Sequence, residues 1–268
     1  MPNRTPSRSV FITGAAAGIG RATALTFAKN GYTVGGYDLD EVGLKALADE
    51  IEALGGTAVV GHLDVTDPAE MDQRVAEFAE AVGGRLDVMI NNAGILLAGR
   101  FEDIDISRHL AEIDINTKGV LNGLHAAFPY LRDTADSVVV NLASASAIYG
   151  QAELANYSAT KFFVRGITEA LDIEWQRHGI RVIAMWPLYV QTAMTDHIRT
   201  GTTESLGIKL TAQDVADAIV EAVAPSRLRR ALHQVHFPVG AQTKTMVACS
   251  RFSPAWLTRL VNKRLSHS

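Results

Sequence analysis

The chain has 268 residues, of which 47% are hydrophobic and 20% are charged. This composition supplies enough apolar side chains for a buried core and excludes an intrinsically disordered chain. The single cysteine, Cys249, excludes an intrachain disulfide and a multi-thiolate metal site. It also fits a reducing compartment such as the cytoplasm. The eight histidines show no spacing typical of metal ligands.

The net charge of −4 is unevenly distributed. Residues 222–268 contain eight Lys and Arg residues and no acidic residue, so this tail carries +8 and the first 221 residues carry −12. The near-neutral total disfavours nucleic acid as the main partner. No stretch approaches the roughly 20 apolar residues of a membrane span, and the apolar run at residues 10–12 is too short for a signal peptide. We therefore expect a cytoplasmic protein.

From the N-terminus, short apolar segments typical of strands alternate with segments whose apolar residues recur at helical spacing. The strand segments are residues 9–13, 32–37, 57–63, 86–90, 137–142, 180–186 and 231–237. The helical segments are residues 19–29, 41–54, 68–82, 107–117, 119–132, 153–178 and 212–223. The alternation predicts one α/β domain, a doubly wound Rossmann sheet of about seven parallel strands flanked by helices, with the active site beyond the C-terminal strand ends.

Two segments depart from this alternation. Residues 191–209 are rich in Thr and Gly and lack a periodic pattern, so we expect a substrate lid within a domain spanning residues 1–240. Residues 241–268 combine apolar side chains at helical spacing with Lys and Arg, which predicts a basic amphipathic extension of the same domain. We expect this extension to pack on its own sheet or on a partner subunit; peripheral contact with an anionic membrane is the alternative.

The first strand runs into a glycine-rich turn, with Gly14, Gly18, Ile19 and Gly20, that opens the first helix. Glycines in this context let backbone N–H groups approach a pyrophosphate at the positive end of the helix dipole. Asp38, at the end of the second strand, can bond the adenosine ribose and would repel a 2′-phosphate, so the pattern predicts NAD in preference to NADP. The alternative is that Asp38 only caps a turn or a helix.

A second group of polar residues lies further along the chain. Tyr157 and Lys161 are four residues apart and share one helix face, so the ammonium group can lower the tyrosine pKa and make it a general acid–base. Alone, such a pair can be a chance occurrence. Ser144 lies thirteen residues before Tyr157, after a buried strand. Ser146, two residues further on, is expected to point to the side opposite Ser144.

Together these residues resemble the short-chain dehydrogenase/reductase family, whose glycine motif is T-G-x-x-x-G-I-G. The matches follow the family order from residue 9 to about residue 192, roughly two thirds of the chain. They are residues 13–20, Asp64-Val65, residues 91–94, Asn116, Ser144, Tyr157 and Lys161.

The resemblance implies catalytic roles for four residues. Tyr157 would exchange a proton with the substrate oxygen, and Ser144 would hydrogen-bond that oxygen as charge develops. Lys161 would lower the tyrosine pKa and bind the nicotinamide ribose, and Asn116 would hold a water that links Lys161 to solvent.

The resemblance also implies the cofactor contacts. Asp64 and Val65 would meet the adenine, and Asn92, Ala93 and Gly94 would line the cofactor and stabilise the central sheet. After the sixth strand the family usually has Pro-Gly and a later Thr. Here the residues are Pro187, Leu188, Val190 and Thr192, so Thr192 keeps its register while Leu188 adds a side chain where the family has glycine.

The residues that border the nicotinamide in this family are mostly apolar or aromatic here, and none is charged. They include Ser146, Tyr149, Leu188, Tyr189 and Met194. This favours a small hydrophobic alcohol or ketone, steroid-, retinoid- or lipid-like, as substrate. Family members usually pair through two long helices, here near residues 107–132 and 153–178, so a homodimer or homotetramer is expected.

Two other functions remain open at this stage. A noncatalytic NAD-binding sensor or scaffold would need none of the proton-transfer residues. A related epimerase or dehydratase also uses Tyr and Lys four residues apart, but its usual glycine turn differs from the one present here.

Overall fold

The computed structural model describes residues 7–192, 200, 207–224, 233–250 and 252–265. The strands are β1 Ser9–Thr13, β2 Thr33–Asp38, β3 Thr57–His62, β4 Val88–Asn91, β5 Val138–Leu142, β6 Arg181–Trp186, β7 Val190–Gln191, β8 Leu210–Thr211 and β9 His236–Pro238. The α-helices are α1 Gly18–Lys29, α2 Glu41–Ala53, α3 Pro68–Ala81, α4 Ile106–Ile113, α5 Gly119–Arg132, α6 Ala155–Trp175, α7 Ala212–Val223, α8 Gly240–Ser250 and α9 Ala255–Leu265.

Seven of these strands form one parallel sheet in the order β3-β2-β1-β4-β5-β6-β9. The order reverses between β1 and β4, and ligands of such sheets bind in the crevice at this point. Both faces of the sheet are covered. In β1, Val10 and Ile12 pack into the core beneath α1, α2 and α7, whereas Phe11 packs on the opposite side with α3, α5 and α6. This is why the strands read as continuous apolar runs.

The predicted parallel α/β sheet is confirmed, with local differences. The predicted helix over residues 153–178 is α6, followed by a 3₁₀ turn at Gln176–His178 that ends at Gly179 with φ 74°. The predicted strand over residues 231–237 is the shorter β9, although residues 231–232 lie outside the described residues. The predicted lid, residues 191–209, also lies largely outside them. At the margins of this predicted lid, β7 pairs with β8. Strands of two residues are too short to be predicted from a sequence pattern.

The C-terminal extension forms α8 and α9, and it contacts the domain. Val247 of α8 packs against the core, and the Asn262 amide of α9 donates to the Gly150 carbonyl at 2.6 Å. On α9, Trp256 is 68% exposed. Among the described residues, no helix combines the length and the apolar character needed to cross a bilayer.

Candidate active site

The glycine turn after β1 is packed too closely for side chains. A Cβ on Gly20 would lie 2.0 Å from the Gly14 carbonyl oxygen, and Gly14 has φ 67°. The Asn92 amide bonds the carbonyl oxygens of Thr13 and Gly14, each at 2.9 Å, so the loop after β4 holds the turn in place. The N-terminus of α1 is therefore presented directly to the crevice.

Asp38, at the end of β2, faces the same crevice. Its carboxylate accepts hydrogen bonds from the backbone N–H groups of Ala16, at 3.0 Å, and Asp40, at 3.2 Å. The capping role on α2 belongs instead to Asp40, whose carboxylate accepts from Val42 and Gly43. Asp38 therefore is not the cap of α2, which removes one of the two alternatives to a cofactor contact.

A cavity of about 570 Å³ runs through this crevice. Most of the residues predicted to bind the cofactor line it: Gly14, Gly18, Ile19, Asp38, Asp64, Val65, Asn92, Ala93, Gly94, Tyr157, Lys161, Pro187 and Thr192. This crevice combines the glycine turn at the N-terminus of α1, which can bind a pyrophosphate, with the Asp38 carboxylate, which can bind a ribose. These features fit a dinucleotide. No arginine lines the cavity within the described part of the chain.

Gly20 and Val190, which were also predicted to bind the cofactor, are not among the described residues that line this cavity. Val190 lies in β7 and is buried in the core, and Leu188, predicted to contact the substrate, is half-buried. The Pro187 carbonyl accepts the Ala145 N–H at 2.8 Å, which joins the loops after β5 and β6. Thr192 lies over the glycine turn, because a Cβ on Gly18 would be 3.3 Å from its methyl group. Met194 lies outside the described residues.

Ser144, Tyr157 and Lys161 meet where β5 ends against α6. Ser144 hydrogen-bonds to the Tyr157 phenol, and the Lys161 Nζ lies 5.4 Å from the centre of the tyrosine ring. The Lys161 Nζ donates to the Leu142 carbonyl at 2.8 Å. The structure thus brings together three of the four predicted catalytic residues.

The pKa values of this group reflect burial. Burial raises the pKa of Tyr157 well above its ordinary value; the Ser144 hydrogen bond opposes the rise, and Glu112 and Tyr189 add to it. Burial lowers the pKa of Lys161 to about 8, against an opposing effect of Glu112. The expected lowering of the Tyr157 pKa by Lys161 is therefore not what the structure shows, because the net shift is upward and desolvation is its largest cause.

Asn116 lies in a single π-helical turn, Asp114–Lys118, between α4 and α5. Such turns are frequent at functional sites. Its side-chain amide makes two hydrogen bonds with the backbone of Ile95. It accepts from the Ile95 N–H and donates to the Ile95 carbonyl, both at 2.9 Å. The amide nitrogen also lies 3.2 Å from Thr160 Oγ1, next to Lys161. Asn116 therefore connects the loop after β4 to α6.

The predicted orientation of Ser146 is wrong. Residues two apart share a face even on an extended segment, and here the 3₁₀ turn Ala145–Ala147 places Ser146 Oγ 3.2 Å from Ser144 Oγ. The hydroxyl of Ser146 then donates to Gln151 Oε1 at 3.2 Å, and the Tyr189 hydroxyl reaches the same oxygen at 3.4 Å. The substrate side of the site was expected to be mostly apolar, but the residues close to Ser144 are polar.

Glu112 is a site-adjacent residue that the sequence analysis missed. Its side chain is fully buried, and its carboxylate accepts from the Leu97 N–H at 2.8 Å and the Asn156 amide at 2.7 Å. It joins the loop after β4 to the start of α6, beside Tyr157. The available signal was the helical spacing of His109, Glu112 and Asn116 on one face of α4 and the following turn.

Comparison with known proteins agrees with this geometry. The family model described as short chain dehydrogenase matches residues 8–203. The chain belongs to the short chain dehydrogenase family. The 3-oxoacyl-[acyl-carrier-protein] reductase of Thermotoga maritima is 36% identical over 200 residues, 73% of this chain and 79% of that protein. The cyclohexanol dehydrogenase of an Acinetobacter species is 33% identical over 195 residues, 72% of this chain and 77% of that protein.

Solved structures of short chain dehydrogenases show the same fold. A 3-ketoacyl-(acyl-carrier-protein) reductase from Brucella melitensis, complexed with NADH, has a TM-score of 0.79 and 27% identity, covering 88% of this chain and 98% of that one. Membership of this family makes the protein an oxidoreductase that acts on CH–OH groups with a nicotinamide cofactor.

Proposed function

We propose that this short chain dehydrogenase interconverts a secondary alcohol and its ketone on a largely apolar, steroid-, retinoid- or lipid-like substrate, using NAD. The observation that carries the proposal is that Tyr157 and Lys161 line the same cavity as Asp38 and the glycine turn, with Ser144 hydrogen-bonded to Tyr157. A noncatalytic dinucleotide sensor would need Asp38 and the glycine turn but not Ser144, Tyr157 or Lys161.

In the proposed mechanism the Ser144 hydroxyl orients the reacting oxygen beside the Tyr157 phenol, which holds or accepts the proton. When bound, the nicotinamide supplies the hydride chemistry. Because burial raises the Tyr157 pKa, the phenol is neutral at pH 7 and suited to donate a proton during ketone reduction. Alcohol oxidation requires the phenolate and is therefore expected to gain rate as the pH rises.

Lys161 contributes positive charge near the phenol, and it is anchored by the Leu142 carbonyl. In the proposed complex its ammonium also bonds the nicotinamide ribose. Asn116 holds the loop that carries Ile95, and we propose that it also positions a water for proton exit.

The preference for NAD is supported by Asp38. Its carboxylate lies at the end of β2 where an adenosine ribose would bind, and a 2′-phosphate would add negative charge beside it. Asp64, whose Oδ1 atom accepts from Thr66, and Val65 would contact the adenine.

Assembly and location are further parts of the proposal. Large apolar side chains are exposed on the long helices, including Leu121 of α5 and Phe162 and Ile173 of α6. We expect these helices to pair in a homodimer or homotetramer in the cytoplasm. Peripheral membrane contact through α9 is the less favoured role of the basic extension.

The test is an assay of NAD reduction over a panel of secondary alcohols, with the Tyr157→Phe variant alongside. Wild type is expected to reduce NAD with at least one apolar alcohol, and Tyr157→Phe to lose at least about 100-fold in kcat. Unchanged turnover in Tyr157→Phe would remove the acid–base role. Tight NAD binding without turnover of any alcohol or ketone would revive the sensor.

A further inference from the structure

Two pairs of side chains join α4 and the turn after it to α6. In the first pair, Glu112 Oε2 accepts from the Asn156 side-chain amide at 2.7 Å. In the second pair, the Asn116 amide nitrogen lies 3.2 Å from Thr160 Oγ1. Residues four apart on a helix share one face, so the two pairs lie one helical turn apart along both elements.

Each pair also holds the loop after β4. Glu112 Oε1 accepts from the Leu97 N–H at 2.8 Å. The Asn116 amide bonds both the N–H and the carbonyl of Ile95, which lines the cofactor cavity. The loop is therefore fixed to α6 at two successive points.

The two pairs are in step with the catalytic residues of α6. Tyr157 directly follows Asn156, and Lys161 directly follows Thr160. Among the described residues, none of Glu112, Asn156 and Thr160 lines the cofactor cavity. Any effect of the first pair on the reaction must therefore pass through the catalytic residues beside it.

The first pair is built around a buried carboxylate. Glu112 is fully buried, and both of its oxygens accept from N–H donors. An ionised carboxylate offers an acceptor at both oxygens, whereas a glutamine would turn its own N–H groups toward one of the two donors. Burying a charge is costly, and burial accordingly raises the Glu112 pKa. An acidic residue kept at this position points to a role for its charge.

The titratable groups that face this carboxylate in the described part of the chain lie on two helices. They are His109 of α4 and Tyr157 and Lys161 of α6. Burial lowers the pKa of Lys161 to about 8, and Glu112 opposes this fall. A buried lysine in this range loses its proton a little above neutral pH, so a nearby negative charge decides how much positive charge remains beside the phenol.

We infer that Glu112 is a positioning residue for the reaction at Tyr157. Its carboxylate fixes Asn156 and thereby the start of α6, and its negative charge keeps the Lys161 ammonium protonated beside the phenol. This inference rests on the proposed alcohol–ketone function and adds to it a residue that acts through the catalytic ones.

The role of the charge is tested by nuclear magnetic resonance of the cofactor-free protein labelled with ¹³C at the lysine Cε atoms. The Lys161 signal is the one missing from Lys161→Met, and in wild type we expect it to titrate near pH 8. In Glu112→Gln its midpoint should fall by at least about 0.5 pH unit, because the negative charge that favours the ammonium is removed.

Glu52→Gln makes the same exchange at an exposed position of α2 and should leave the Lys161 midpoint at its wild-type value. An unchanged midpoint in Glu112→Gln would indicate a merely structural role and would overturn the inference.

The role in alignment is tested by kcat for an accepted secondary alcohol with NAD. Glu112→Gln and Asn156→Leu should each lower kcat at least about tenfold, since either change breaks the first pair. The double variant should lie within about twofold of the slower single variant, because one contact cannot be lost twice. Glu52→Gln should keep the wild-type kcat. Losses that multiply in the double variant would show that the two residues act separately and would overturn the inference.

A second variant guards against a failure to fold. If Glu112→Gln does not fold, Glu112→Asp, which keeps the charge and withdraws it by one methylene, should still lower kcat at least about tenfold. A wild-type kcat in Glu112→Asp would then overturn the inference.

The inference and the proposed function can fail separately. Wild-type turnover without the expected effects of the Glu112 variants overturns the inference alone. Absence of turnover with every alcohol overturns the proposed function. The Lys161 titration needs no turnover, so it still decides whether Glu112 supports the ammonium.

Discussion

Replacing Lys161 with methionine should lower the activity, and its effect on the free energy of unfolding should be more favourable at pH 7 than at pH 10. The Lys161 side chain is 6% exposed, and burial lowers its pKa from 10.5 to about 8. Each pKa unit corresponds to about 1.4 kcal/mol, so holding the ammonium charged in the fold costs about 3 kcal/mol at pH 7. Methionine removes this cost but leaves the Leu142 carbonyl without the Nζ donor, a loss of about 1 to 3 kcal/mol.

The dependence on pH separates these two effects. Because the folded-state pKa is below the unfolded value, the unfolded chain binds more protons between about pH 8 and pH 10.5, and wild-type stability rises with pH across this window. The loss of the hydrogen bond to the Leu142 carbonyl affects stability equally at both pH values, so it cancels in the comparison. The stability difference, Lys161→Met minus wild type, should therefore be larger at pH 7 than at pH 10 by about 2 to 3 kcal/mol.

The assay is urea unfolding of the cofactor-free protein at pH 7 and pH 10. Comparing Tyr157→Phe with Tyr157→Phe/Lys161→Met removes the neighbouring phenol, whose own ionisation would overlap at pH 10. If the stability difference is the same at both pH values, Lys161 is not held at a lowered pKa, and the reasoning from burial is wrong.

Substitutions at Asp38, Gly123 and Glu112 test separate parts of the site and the fold, with Gly166→Ala as the control for Gly123→Ala. Asp38→Ala should reduce the kcat/KM preference for NAD over NADP by about 10- to 100-fold, because a like charge beside the 2′-phosphate is removed; an unchanged preference would refute the ribose contact. Gly123→Ala should lower the free energy of unfolding by about 1 to 3 kcal/mol, since its Cβ would lie 2.1 Å from Asn91 Oδ1. Gly166→Ala, with open space around its Cβ, should raise it by about 0.5 to 1 kcal/mol. Burial raises the Glu112 pKa, so this group makes wild-type stability fall as pH rises from about 4.5; the stability of Glu112→Gln relative to wild type should be greater at pH 7 than at pH 5 in urea unfolding.

Much of the fold could be predicted because burial on both faces of the sheet leaves a strong local pattern. Val10, Phe11 and Ile12 are all apolar since one points to each side in turn, and the glycines of the following turn are required by contacts as close as 2.0 Å. These constraints act on neighbouring residues in the chain, so they are readable without the tertiary structure.

The arrangement around the catalytic serine was less predictable because it depends on distant contacts. Gln151, for example, meets Tyr189 across 38 positions of sequence. Glu112 is buried although it is acidic, because Leu97 and Asn156 supply its hydrogen bonds from two other segments. No local pattern specifies such partners.

The Tyr157 pKa shows a further limit. A lysine four residues away favours the phenolate, but the sequence does not report how much water the fold removes from both groups. In the structure this desolvation is the largest influence on the pKa of Tyr157 and also on that of Lys161.

The proposed function requires this protein to move a hydride between a nicotinamide and the carbinol carbon of a secondary alcohol. The direct measurement is mass spectrometry of the reduced cofactor formed from NAD and an accepted alcohol carrying deuterium at that carbon. We expect one deuterium in each reduced nicotinamide. Reduced cofactor that carries only protium would show that the carbinol carbon is not the hydride donor and would contradict the proposed function.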